Sequence, residues 1–149
     1  MNNDIKEIEN HLNEIVRKNE DAIKGYKKAA ENAKEVGLQN YFQNKARERS
    51  NFLNELKAAT PALNLENDMD GSAKGAMHRA WMDTKAFFSG DNDESMLEEA
   101  IRGDKAAVEN YNEVLANTHL PINSAAVIRK QRDWIVQDLE ANKTLEDIM

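Results

Sequence analysis

The chain has 149 residues, of which 32% are charged and 40% hydrophobic, a balance too apolar for a disordered chain and suited to one soluble domain over residues 1–149. It has no cysteine, which excludes a disulfide scaffold, a thiol nucleophile and thiolate metal sites. The net charge of −7 argues against nonspecific nucleic-acid binding, and no apolar run reaches the ~20 residues of a membrane span. The opening MNNDIKEIEN is acidic and lacks the apolar core of a signal peptide, so the expected location is cytoplasmic.

The first helix is expected over about residues 4–35. Ile5, Ile8, Leu12, Ile15, Asn19, Ala22, Tyr26, Ala29 and Ala33 follow one another in steps of three and four, the spacing of a core-facing stripe. Gly37 reads as its stop. A second helix is expected over about 38–59, with Leu38, Phe42, Ala46, Phe52, Leu53 and Leu56 inward, ending at Thr60-Pro61. A shorter helix reads from Ala73 to Phe88. Asp91 with Glu94 resembles a capping box for the next helix, expected over about 93–117. Its stripe is Leu97, Ile101, Asp104, Val108, Tyr111 and Leu115. Pro121 sits near the start of the last helix, about 121–142, with Val127, Ile128, Gln131, Ile135, Asp138 and Leu139 inward.

Short turns join the first long helix to the second and the third to the fourth. About 33 residues separate the two hairpins. Two helical hairpins with one long crossover form an all-α, ferritin-like four-helix bundle, the crossover carrying a short fifth helix. A weak internal repeat agrees with this. Asn19 precedes Tyr26 by seven residues, as Asp104 precedes Tyr111.

The segments DAIKGYKKAAENAK, YFQNKARERSNFLNEL, GAMHRAWMDTKAFFSGD and EEAIRGDKAAVENYNEVL extend the pattern. In order and spacing the chain resembles a bacterial family of ferritin-like four-helix bundles classed as a domain of unknown function. The resemblance covers nearly the whole chain and implies a fold related to ferritins and rubrerythrins. It implies no activity.

Ferritin-like di-iron proteins place a Glu on each of two helices and Glu-x-x-His on the other two, all inward. Here no Glu-x-x-His occurs: the residues three before His11, His78 and His119 are Ile8, Gly75 and Ala116. The polar residues at mid-stripe are instead Asn19, Arg49, Asp104 and Gln131. They are expected to form one hydrogen-bonded layer in which Arg49 pairs with Asp104. The alternative is an Arg49 at the bundle edge with its head in water. A second polar contact, from the Tyr26 hydroxyl to Asp138, follows from placing the first and last helices parallel. Lys45, one turn before Arg49, has either Tyr26 or Asp138 within reach, although the KARER run around it otherwise reads as a solvated face. The alternative is an Asp138 that simply faces water.

His78, Trp81 and Met82 on the crossover suit a ligand or partner patch, but the spacing of Met77, Ala80, Trp81, Thr84 and Phe88 favours packing on the bundle. Trp134 reads as core or interface packing rather than cofactor stacking. His11 with Glu7 and Glu14 has one-turn metal spacing, a pattern that exposed helices commonly carry. There is no phosphate loop, Ser/His/Asp triad or paired-carboxylate glycosidase pattern. The expected function is therefore a non-catalytic structural, stress-related or partner-binding bundle without cofactor. The alternative is a degenerate site for iron or another divalent metal, using Glu48 and Asp104 with Glu20 and Asp21 nearby. A third reading is self-association through Trp81 or Trp134 faces, making a homo-oligomer.

Overall fold

The computed structural model describes residues 2–61, 92–117 and 119–148. Steps of three and four wind α1 (Asn2–Asn32) so that Leu12, Ile15, Asn19, Ala22, Tyr26 and Ala29 share one buried side. The stripe fades toward the N-terminus, where Ile8 is half-buried and Ile5 exposed. In α2 (Val36–Ala59) the buried residues are Leu38, Phe42, Lys45, Ala46, Arg49, Phe52, Leu53 and Leu56. α3 (Asp93–Asn117) turns slightly from the expected stripe. Met96, Ala100, Gly103, Ala107, Asn110 and Val114 are buried with Leu97, Asp104 and Tyr111, while Ile101, Val108 and Leu115 are half-buried. α4 (Ile122–Ala141) buries Ser124, Ile128, Gln131 and Ile135. One further turn, α5 (Leu145–Ile148), sets Leu145 and Ile148 against the core.

Two boundaries differ from the sequence reading. α1 ends at Asn32, and Gly37 lies in the first turn of α2 rather than stopping α1. The cause is distant in sequence. The Asp93 carboxylate accepts the backbone N–H of Lys34 (2.9 Å) and of Glu35 (2.8 Å), fixing the turn between the helices. At the start of α3, the Asn92 side chain accepts the Ser95 N–H at 2.8 Å and acts as the cap. Asp91, first expected in that role, lies outside the described residues, as does the short crossover helix with His78, Trp81 and Met82.

α1 and α2 form one antiparallel hairpin, α3 and α4 another. The hairpins meet with α1 on α3 and α2 on α4. Contacts fix the directions. Tyr26 meets Asp104 while Asn19 meets Tyr111, so α1 and α3 are antiparallel. Lys45 meets Asp138 while Gln131 meets Phe52, so α2 and α4 are antiparallel as well. α2 therefore runs parallel to α3 across one diagonal, and α1 parallel to α4 across the other. α2 ends and α3 begins at opposite ends of the bundle, which is the direction pattern of a ferritin-like bundle.

The core has two apolar parts. One end is aliphatic and aromatic, with Leu12, Ile15, Ile23, Phe52, Leu56 and Ile128 among its members. The other is rich in alanine, with Ala22, Ala29, Ala33, Ala46 and Ala100 around Tyr26, Leu38 and Phe42. Each large aliphatic or aromatic side chain fully buried here contributes about 1.5–3 kcal/mol. Between the two parts the seam turns polar. Among the described residues no helix is long and apolar enough to cross a membrane.

Candidate functional site

The polar centre is built from the same seams as the core. On α1 and α2 the positions of Asn19, Tyr26, Lys45 and Arg49 are core positions, and Arg49 and Lys45 are 1% and 2% exposed. Arg49 Nη2 donates to Asp104 Oδ1 at 2.7 Å, and Arg49 Nη1 donates to Asn19 Oδ1 at 2.8 Å. Asn19 Nδ2 donates to the Tyr111 hydroxyl at 2.9 Å and to the Ile15 carbonyl at 3.0 Å. The Tyr111 hydroxyl donates onward to Gln131 Oε1 at 2.8 Å, and Gln131 Nε2 donates to the Phe52 carbonyl at 2.9 Å. Asn19, Arg49, Asp104 and Gln131 thus belong to one network joining all four long helices.

A second group is continuous with it. Asp104 Oδ1 also accepts from the Tyr26 hydroxyl, and Asp104 Oδ2 accepts from Lys45 Nζ. Lys45 Nζ also donates to Asp138 Oδ2 at 2.6 Å, where the Tyr41 hydroxyl donates as well at 2.9 Å. Asn142 Nδ2 holds Asp138 Oδ1 at 2.9 Å. The Lys45 ammonium lies 5.0 Å from the centre of the Tyr26 ring, 5.2 Å from Tyr41 and 5.9 Å from Trp134. Asp104 sits on α3 and the two cations on α2, diagonally opposite. Lys and Arg are the side chains long enough to cross that diagonal to a carboxylate on a short stem.

Within this network two cations face two carboxylates, so its own charge balances. Burial alone would raise the Asp104 carboxyl, but Lys45 and Arg49 beside it outweigh burial and hold it below the ordinary carboxylate value. Burial likewise works against the Arg49 guanidinium, while Asp104 and the neighbouring hydroxyls keep it firmly charged. Burial, then the charge of Asp104, pushes the Tyr26 hydroxyl well above its usual value. Burial and Asp138 do the same for Tyr41, and burial for Tyr111.

Three sequence expectations are corrected. The Tyr26 hydroxyl bonds Asp104 rather than Asp138, whose oxygens go to Lys45, Tyr41 and Asn142. Tyr26 and Asp138 sit on diagonal helices, and their neighbours α2 and α3 supply nearer partners. The α3 residue level with Asn19 is Tyr111, not Asp104, because α3 runs opposite to α1. Lys45 is no part of a solvated face. It lies at the centre, while Arg47 of the same run is exposed.

These residues do not fit a di-metal centre. A bridging carboxylate must offer oxygens to metal ions, but Asp104 gives both of its oxygens to cations and a hydroxyl. Two side-chain cations at the same carboxylate repel a divalent ion. Glu48 is not brought to Asp104. It lines the groove between α2 and α4 with Phe52, Lys130, Asp133, Trp134 and Gln137. Glu20 and Asp21 are buried on α1. His11 lies 3.8 Å from Glu7, while Glu14 turns to Lys18 at 3.1 Å and to Asn110, so the three do not converge. Among the described residues no group of three His, Asp or Glu side chains gathers as a metal site. Trp134 packs edge-on against Phe52, ring centres 5.7 Å apart.

No curated protein and no solved structure matches the chain. A family model does match, from residue 7 to residue 117, which takes in Asn19, Lys45, Arg49, Asp104 and Tyr111 but stops short of α4 with Gln131 and Asp138. By that match the chain belongs to the family described as Domain of unknown function (DUF2383).

Proposed function

We propose that this protein is a non-catalytic ferritin-like bundle, working in a structural, stress-related or partner-binding role, whose centre is held by side-chain charges where related folds hold two metal ions. One observation carries the reading. Lys45 and Arg49 share the Asp104 carboxylate, one on each oxygen, as two metal ions share a bridging carboxylate. Such a centre needs no ion to neutralise its acids. The family resemblance suggests a bacterial protein, and a charge of −7 keeps a helical chain dispersed in a cytoplasm. Self-association through the half-buried Trp134 face belongs to the same reading, and hydrodynamic mass at varied concentration tests it.

The deciding experiment is metal stoichiometry after anaerobic titration with ferrous iron, with Asp104→Ala alongside. No bound iron in the natural chain is expected. One or two irons per chain, lost in Asp104→Ala, would overturn the proposal and turn attention to oxygen chemistry.

A further inference from the structure

The Lys45 ammonium has the surroundings of a ligand. Three aromatic faces stand within 6 Å of it: Tyr26, Tyr41 and Trp134. Ring faces are negative and attract a cation, the more so where water is excluded. Two carboxylate oxygens, Asp104 Oδ2 and Asp138 Oδ2, accept its hydrogen bonds. An ammonium carries three donors. Two go to the carboxylates, and one is left toward the rings. We propose that Tyr26, Tyr41, Trp134, Asp104 and Asp138 form a recognition site for a primary alkylammonium group, filled in this chain by its own Lys45, which a free alkylammonium ion occupies when that side chain is shortened.

The chemistry favours an organic ammonium over a metal ion. A hard divalent cation seeks about six oxygens at close range. The tyrosine hydroxyls are already turned to Asp104 and Asp138, and ring faces offer no lone pairs to such an ion. A quaternary ammonium suits the rings but has no hydrogen to give the carboxylates. The site therefore favours a primary group over a quaternary one. Access follows from Trp134, which is one wall of the site and also lines the α2–α4 groove. This inference goes beyond the proposed function, because it names the ligand class that the centre accepts.

The test uses Lys45→Ala, which removes three carbons and the nitrogen, the atoms of n-propylammonium. Thermal midpoints are read against n-propylammonium chloride, with tetramethylammonium and sodium chloride at equal ionic strength. Manganese and zinc chlorides form a further arm. n-Propylammonium should raise the midpoint by roughly 3–5 °C for each tenfold rise above its dissociation constant, and the two control salts should not. Equal effects of all three salts overturn the inference, and so does stronger stabilisation by manganese or zinc. Iron binding by the natural chain overturns the proposed function instead, so the two failures are distinct. Should Lys45→Ala not fold, nitrogen-edited proton spectra of the natural chain decide. The Lys45 ammonium protons should exchange slowly and lie upfield of other lysines through the ring currents. A Lys45 signal among those of exposed lysines overturns the inference.

Discussion

Tyr26 donates its hydroxyl hydrogen to Asp104 across the α1–α3 interface. Seven residues before Tyr26, Asn19 donates to Tyr111, which stands seven residues beyond Asp104. The two members of the internal repeat thus lie head to tail, each tyrosine on the polar residue of the other. Arg49 touches both pairs, at Asn19 and at Asp104. Tyr26→Phe and Tyr111→Phe should therefore be coupled through Arg49. Each substitution is expected to cost ~1–3 kcal/mol, because each leaves a buried acceptor with one donor fewer. The double variant should depart from their sum by ~0.5 kcal/mol or more, measured by urea unfolding. Strict additivity would show that Arg49 transmits nothing between the pairs.

Asp104 is the acceptor for three donors, two of them cationic. Asp104→Ala removes the carboxylate that Lys45 and Arg49 share, while both cations stay in the interior. A loss of ~3–5 kcal/mol in unfolding free energy is expected, the cost of leaving a buried charge uncompensated. The exposed pair Lys130–Glu55 provides the contrast, since its ammonium is in solvent. Lys130→Ala should leave the urea midpoint unchanged. A loss below ~1 kcal/mol for Asp104→Ala would mean that water reaches the centre.

The same carboxylate gives stability a pH dependence on the acid side. Its folded pKa lies below the unfolded value of about 3.8. Above that value both states are ionised and its contribution is complete. As pH falls below about 3.8 the unfolded chain takes up the proton first, and the contribution is lost as pH passes down through the folded value. Urea midpoints should hold steady from pH 7 toward 5 and drop below about 4. In Asp104→Asn the starting stability is lower and this part of the acid slope is absent. An unchanged slope in that variant would assign acid unfolding to other carboxylates.

The sequence pattern already contained most of this architecture, and its gaps have physical causes. Leu38, Phe42, Lys45, Arg49, Phe52 and Leu56 follow one another in steps of four and three, so Lys45 is a regular seam position. The run KARER hides it, because Arg47 does face water. A cation long enough to cross a diagonal looks the same in sequence as one that points out. The repeat shows which residues correspond but not which ones touch. Antiparallel packing pairs Tyr26 with Asp104, whereas aligning the repeats sets Tyr26 beside Tyr111. Tyr41 lies one step off the seam and reaches Asp138 from the side. The Asp93 clasp on Lys34 and Glu35 joins residues 58 and 59 apart, which no local periodicity can signal.

On the alkaline side the tyrosines set the limit. The chain has three, Tyr26, Tyr41 and Tyr111, and all donate hydrogen bonds inside the bundle. Burial comes first among the causes that raise each of them above 10. Their stabilising contribution is complete below pH 10, where the unfolded chain also keeps its phenol protons. It is lost as pH rises above 10 toward the folded values, because the unfolded chain alone gives those protons up. Ultraviolet absorbance should therefore show almost no tyrosinate at pH 10 to 11 while the helices persist. It should then rise in one cooperative step that coincides with loss of helical circular dichroism. A gradual rise over folded protein would show that at least one hydroxyl is open to solvent.

The Asp93 clasp predicts a local effect. Its carboxylate receives the Lys34 and Glu35 N–H groups in the turn that ends α1, tying the first hairpin to the start of the second. Turn amides without a partner exchange with solvent quickly, so protection at these two reports the clasp directly. In the natural chain both amides should be protected, although they precede the first helical residue of α2. Asp93→Ala removes the acceptor for both and should cost ~1–3 kcal/mol, with fast exchange at Lys34 and Glu35. Amides of Asn19 and Arg49 at the bundle centre should keep their protection relative to global unfolding. Slow exchange at residues 34 and 35 in Asp93→Ala would show that α2 holds the turn without help from α3.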